Sequence, residues 1–243
     1  MGADKPSILL VLTNHSDLGE TGKKTGFYLS EAAHPYEVFT AAGYDVQLAS
    51  PEGGFAPVDP KSLELDDDEA NQTFWSKFGK EEEGLSGVPG TKGLRSVKPG
   101  VFRGIFFAGG HGAMWDFPTS ADVRALTSDI YSRGGVVGAV CHGPAALVNL
   151  KLPDGSLLVK GKKVAVFTNE EEQAVNLTEA MPFLLEDSFE GMDAEVVTAE
   201  KFTVNAVRDG RLITGQNPQS AKKAAELFVA AMKEAGPEKA PEL

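Results

Sequence analysis

The sequence predicts an α/β fold, a mostly parallel sheet with helices on both faces. Three observations predict it: continuous apolar runs of strand length recur, amphipathic helical patterns alternate with them, and glycine-rich turns follow several of the runs. Residues 8–13 form the first run and read as a strand covered on both faces. Ala32, Tyr36 and Phe39 then fall at spacings of four and three, and Gly43 suits the position just past a helix end. Asp45–Ser50 is the next strand candidate, and residues 104–108 and Val136–Val140 repeat the buried-strand pattern. With residues 163–167, 195–198 and 211–214 the count reaches six or seven strands. Asn217 as cap, Pro218 in the first turn and Ala221, Ala225, Phe228 and Met232 along one face predict a last helix, with Gly236 and Pro237 as its stop. The stretch 51–99 breaks the rhythm with glycine, proline and acidic residues around a helix at 66–78. It reads as an insertion or flap held down by Phe74, Trp75 and Phe78, within a single domain spanning residues 1–243.

With 42% hydrophobic and 24% charged residues over 243 positions, the chain has the composition of a folded domain rather than a disordered one. Its formal charge of −12 argues against polyanion partners, so neither nucleic acid nor an anionic membrane surface is expected. No apolar run approaches the length of a membrane span. The single cysteine, Cys141, excludes an intramolecular disulfide and any zinc site needing several thiolates. The apolar run at 8–12 is too short for a signal-peptide core, and Pro6 stands where a myristoylation signal wants Ser or Thr, so the expected compartment is the reducing cytoplasm.

Three windows carry chemistry. In the first, a buried strand ends at Cys141, and His142, Gly143 and Pro144 follow, so a sharp turn leads into a helix near Ala145. That is the geometry of a nucleophile elbow, and a helix N-terminus or a proton-accepting neighbour would lower the thiol pKa until Cys141 rests as a thiolate. The competing reading is a small core cysteine. In the second, the strand at 104–108 runs into Gly109, Gly110 and His111, where close-approaching backbone N–H groups would hold an oxyanion or substrate, or simply make a tight turn. The third is Glu31, four residues before Pro35. Because proline is comfortable in a first helical turn, Glu31 is expected at or just before that helix's start, on the same sheet edge as Cys141. A carboxyl there would shuttle protons, or would only complement a helix N-terminus.

Together these windows, with Lys24-Thr25-Gly26, Glu31 to Pro35, Gly110 to Asp116, Ala139 to Pro144, Phe167 to Glu170 and Thr214 to Pro218, resemble the ThiJ/PfpI superfamily, in its branch of heat-shock chaperones that are glutathione-independent glyoxalases. The resemblance covers nearly the whole chain. It implies a flavodoxin-like three-layer sandwich, Cys141 as nucleophile, His142 as its proton-transfer partner, Glu31 as the carboxyl against the thiol, and an acidic residue orienting His142. Counting from Thr168 puts that residue at Glu172, in a run of Glu170, Glu171 and Glu172. The implied activity is glyoxalase III, conversion of methylglyoxal to D-lactate with no cofactor and no metal, glyoxal being a second substrate. A homodimer and unfolded-protein clients are the implied partners. Alternatives are a holding chaperone, a protein deglycase, a cysteine hydrolase and, most weakly, a metal site using His34, His111 and a carboxylate.

Overall fold

The computed structural model describes residues 7–64, 68–98 and 100–235. In chain order the elements begin β1 (Ser7–Val11), α1 (Leu29–Ala41), β2 (Asp45–Ser50), β3 (Gly54–Pro57), α2 (Glu69–Phe78), β4 (Lys80–Glu82), β5 (Leu85–Gly93), β6 (Phe102–Phe107), α3 (Ala113–Asp116) and α4 (Ala121–Ser132). They continue with β7 (Val136–Val140), β8 (Lys163–Val164), α5 (Asn169–Ala174), α6 (Leu185–Glu190), β9 (Glu195–Val196), β10 (Ala206–Asp209), β11 (Leu212–Gly215) and α7 (Ala221–Glu234). Nine strands form one sheet, ordered β10-β11-β7-β6-β1-β2-β5-β3, with β4 pairing β5. From β11 through β5 every neighbouring pair is parallel, while β10, β3 and β4 run antiparallel at the margins. This is the expected α/β architecture.

After β1 the chain builds β2 on one side, then crosses to place β6 on the other. Such a reversal opens a crevice at the carboxyl ends of the central strands, where α/β folds bind ligands. Apolar runs make β1, β6 and β7 central because both of their faces must be covered, and Ile8 to Val11, Ile105 to Phe107 and Val136 to Val140 are buried. On one face Phe39 of α1, Phe106 of β6 and Phe228 of α7 pack with ring centroids 5.1 to 5.6 Å apart. Gly138 makes room for them, since a Cβ there would lie 2.4 Å from the Phe106 ring. Among the described residues no helix is long and apolar enough to cross a membrane.

Several local expectations need correction. Helix α1 starts at Leu29, so Glu31 is its third residue and Pro35 lies inside it. The proline removes one backbone bond, which burial of Leu29, Ala32, Ala33 and Phe39 outweighs. The strands expected at 163–167 and 195–198 are two-residue pairs. Beyond Val164 the backbone turns to other partners: Ala165 N–H donates to Thr214 Oγ1 and Phe167 N–H to the Cys141 carbonyl. The stretch 51–99 contains three strands that sequence reading does not find, and β5 joins the main sheet beside β2. Its helix begins at Glu69 with Asp68 as cap, and positions 66 and 67 of the expected helix lie outside the described residues. Asn217 does not cap the last helix. Its amide donates to Glu171 and to the Thr203 carbonyl, and the chain enters α7 through a 3₁₀ turn, Pro218–Ser220. Ala221, Ala225, Phe228 and Met232 are buried as expected, and the stop at Gly236 and Pro237 lies outside the described residues.

Candidate active site

Three parallel strands deliver the site. β7 ends at Val140, and Cys141 follows with φ of 60°, a left-handed backbone that few side-chain-bearing residues adopt. The chain then turns into a 3₁₀ helix, Gly143–Leu147, with Pro144 in its first turn. Gly143 is required here, because a Cβ would sit 2.3 Å from the Phe107 carbonyl oxygen. The strained cysteine between strand and turn is the elbow the sequence predicts.

Around the sulfur, each neighbour is held by a different element. His142 Nδ1 is 3.2 Å from Cys141 Sγ, and its other nitrogen, Nε2, is 2.7 Å from Glu172 Oε2. Glu172 lies on α5, whose first turn is fixed by a reciprocal cap between Thr168 and Glu171. The three consecutive glutamates therefore separate cleanly. Glu172 reaches His142, Glu171 accepts from Thr168, Phe202 and Asn217, and Glu170 pairs with Lys201 at the surface. His111, just beyond β6, also bonds Glu172, Nε2 to Oε1 at 2.9 Å, and its ring lies 4.1 Å from that of His142. One carboxylate thus bridges two imidazoles.

Glu31 is a further neighbour of the sulfur. It is wholly buried and accepts the Gly109 N–H at 2.8 Å through Oε2, while its Oε1, beside the Cys141 thiol, has no hydrogen-bond partner among the described residues. This alters the expected use of the glycine turn. The Gly109 N–H is committed to Glu31, and the Gly110 N–H faces the sulfur. A Cβ at Gly109 would meet Glu31 Oε2 at 2.7 Å and His142 N at 2.6 Å, so only glycine lets the carboxyl and the elbow meet.

Burial pushes the Glu31 carboxyl up to about 8, and the neighbouring Cys141 thiol and Gly109 N–H oppose the shift. Burial also pushes the Cys141 thiol well up, and the neighbouring Glu31 charge adds to the effect. The expected lowering by a helix N-terminus is not what governs this thiol. The two buried acids disfavour a double charge, so at neutral pH they hold at least one proton between them. Burial, followed by the charge of His111, holds His142 below the usual histidine range. Burial opposes ionisation of Glu172, but His142 and His111 together hold its carboxyl well below the usual range. A neutral His142 donating Nε2–H to ionised Glu172 leaves Nδ1 as an acceptor facing the thiol.

A cavity of about 470 Å³ opens over Cys141, and Tyr28, Gly110, His111, Phe167 and Phe202 line it. Sequence reading does not single out Tyr28, whose hydroxyl has no hydrogen-bond partner among the described residues and whose pKa burial and the Glu31 charge push up to about 12. Its place between the glycines of the first loop and the start of α1 carries no motif signal. His34 does not join the site; it pairs with Asp68 at 2.7 Å. The three-residue group with metal-ligand spacing among the described residues is instead His111, His142 and Glu172, whose candidate ligand atoms are already hydrogen-bonded to one another.

Comparison with known proteins shows the family to which the chain belongs. The family model described as the DJ-1/PfpI family matches residues 24–231. Glyoxalase 3 of Candida albicans is 37% identical over 238 residues, covering 92% of this chain and 97% of its own. The glutathione-independent glyoxalase HSP31 of Saccharomyces cerevisiae is 31% identical, covering 93% and 98% respectively. Among solved structures, the Rapid Encystment Protein 24 KDa of Francisella tularensis aligns with a TM-score of 0.85 at 36% identity, covering 93% of this chain and 99% of its own. Glyoxalase III from Candida albicans aligns at 0.79 and 33%, covering 93% and 97%. A nucleophile elbow, a carboxyl against its sulfur and a match over most of the chain's length lead to one assignment: the chain belongs to the DJ-1/PfpI family, alongside relatives named as glutathione-independent glyoxalases.

Proposed function

We propose that the protein is a glutathione-independent glyoxalase, a cysteine-dependent lyase without a cofactor that converts methylglyoxal to D-lactate and accepts glyoxal. The observation that carries this reading is a single sulfur at the floor of a cavity, flanked by a neutral imidazole nitrogen at 3.2 Å and by a carboxyl pushed up to about 8. The names of the relatives support the same activity.

In this mechanism Cys141 gives its proton to His142 Nδ1 and the sulfur attacks the aldehyde carbon, forming a C–S bond and an alkoxide. The alkoxide takes a proton and becomes a hemithioacetal. The Gly110 N–H and the Tyr28 hydroxyl are the donors that hold the oxyanion, since the Gly109 N–H already serves Glu31. A base, Glu31 or His142, removes the hydrogen from the former aldehyde carbon to give an enediol, and proton return to the neighbouring carbon gives a 2-hydroxyacyl thioester. Water cleaves the C–S bond, releasing the hydroxy acid and restoring the thiol. One carbon is oxidised as its neighbour is reduced, so methylglyoxal plus water gives lactate without an external oxidant.

Purified protein given methylglyoxal without glutathione should form D-lactate, and Cys141→Ala should form none above the uncatalysed rate. Lactate from that variant at the native rate would end the proposal. The family resemblance adds a homodimer and unfolded-protein clients. Light scattering at twice the chain mass tests the first, and aggregation suppression that persists in Cys141→Ala tests the second.

A further inference from the structure

Methylglyoxal is a three-carbon compound, whereas the cavity of about 470 Å³ falls in the range that holds drug-sized ligands. Much of its wall is apolar, with Leu18, Phe167, Val175, Leu177 and Phe202 among the lining residues. Lys23, Lys24 and Lys61 also line it, in a chain whose formal charge is −12. Lys24 is paired with Asp17 at 2.6 Å. Lys23 and Lys61 have no ion-pair partner among the described residues. The acidic lining residue, Asp59, is buried, and its two oxygens accept from the Thr25 hydroxyl and from the Lys61 backbone N–H. Two cations are thus left facing an apolar chamber with the reactive sulfur at its floor.

Building on the glyoxalase reading, we propose that this chamber selects 2-oxoaldehydes larger than methylglyoxal, with an apolar or aromatic body that ends in a carboxylate. The body displaces water from the walls formed by Phe167 and Phe202, and the carboxylate pairs with Lys23 and Lys61. The reaction is unchanged: the aldehyde carbon becomes a carboxylate, the ketone carbon becomes an alcohol, and water supplies the oxygen.

The test compares kcat/KM for methylglyoxal, phenylglyoxal and 4-carboxyphenylglyoxal at low ionic strength, with the hydroxy acid product measured directly. Each exposed ion pair contributes modestly, so the carboxylated aldehyde should exceed phenylglyoxal by about fivefold. The preference should shrink at high salt and fall to about one in a Lys23→Gln, Lys61→Gln double variant. Lys61→Glu should reverse it. Equal kcat/KM for the two aryl aldehydes in the native protein, with methylglyoxal still consumed, would overturn the carboxylate site and leave the glyoxalase reading intact. Failure to convert any of the three would overturn both.

Discussion

At Glu31, stability and chemistry pull in opposite directions. Its carboxyl is pushed up to about 8 in the folded chain from an ordinary 4.5, because burial disfavours the charged form. A group whose folded pKa is raised supports the fold below its unfolded pKa, and that support is lost as pH climbs toward the folded value. Between about pH 4.5 and 8 the fold must therefore either keep the proton that the unfolded chain has released or bury a charge. Glu31→Gln, which keeps an acceptor for the Gly109 N–H, should stabilise the protein by on the order of 3 kcal/mol near pH 7 and by almost nothing near pH 4, read as the difference in unfolding free energy. The same substitution should lower kcat by about a hundredfold or more, the usual contribution of a positioned acid or base. A variant that is neither more stable at neutral pH nor slower would remove Glu31 from the mechanism. In the native protein, activity should fall above about pH 8 as the shuttle loses its proton, while the depressed His142 keeps its acceptor nitrogen available below the usual histidine range.

The elements differ in how openly the sequence announces them. β1, β6 and β7 were legible because continuous apolar runs are what a parallel strand covered on both faces requires. β5 was not, since it carries Pro89 and three glycines; one of them, Gly87, is there because a Cβ would lie 2.3 Å from the Ala56 carbonyl oxygen. Long-range pairing decides such a strand, and composition argues against it. The site shows the same division. Cys141, His142, Glu31 and Glu172 are brought together; sequence windows announce Cys141 and Glu31 and the family resemblance supplies the roles of His142 and Glu172, whereas the commitment of the Gly109 N–H to Glu31 and the place of Tyr28 beside the cavity depend on how separate loops meet. Glu171 shows why α5 matters as a unit. It is buried, caps its own helix and ties Phe202 and Asn217 to it. Glu171→Ala would leave several buried donors without partners and should cost about 3 kcal/mol or more, measured by denaturant unfolding. It should also weaken catalysis, because α5 holds Glu172 against His142. Unchanged stability would mean that these hydrogen bonds do not hold the helix in place.

On the scale of the whole molecule, the order of the strands gathers residues 31, 109 to 111, 141 and 172 at one crevice, although they span much of the chain. The crossing from β2 to β6 places the β1, β6 and β7 ends side by side, so a carboxyl, a glycine turn and a thiol meet without any one segment encoding the site. His111, His142 and Glu172 are already satisfied by one another, and full activity should survive exhaustive chelation, with added zinc giving no increase. Loss of turnover on chelation with recovery on metal addition would replace the proton-transfer account with a metal-assisted one. The central claim is covalent chemistry at one sulfur, and the most direct measurement is acid-quenched peptide mass spectrometry during turnover of methylglyoxal. An adduct of one methylglyoxal on the peptide containing Cys141, rising and falling as D-lactate accumulates, is the predicted result. Steady lactate formation while that peptide stays unmodified at every quench time, with the adduct found on another residue, would contradict it.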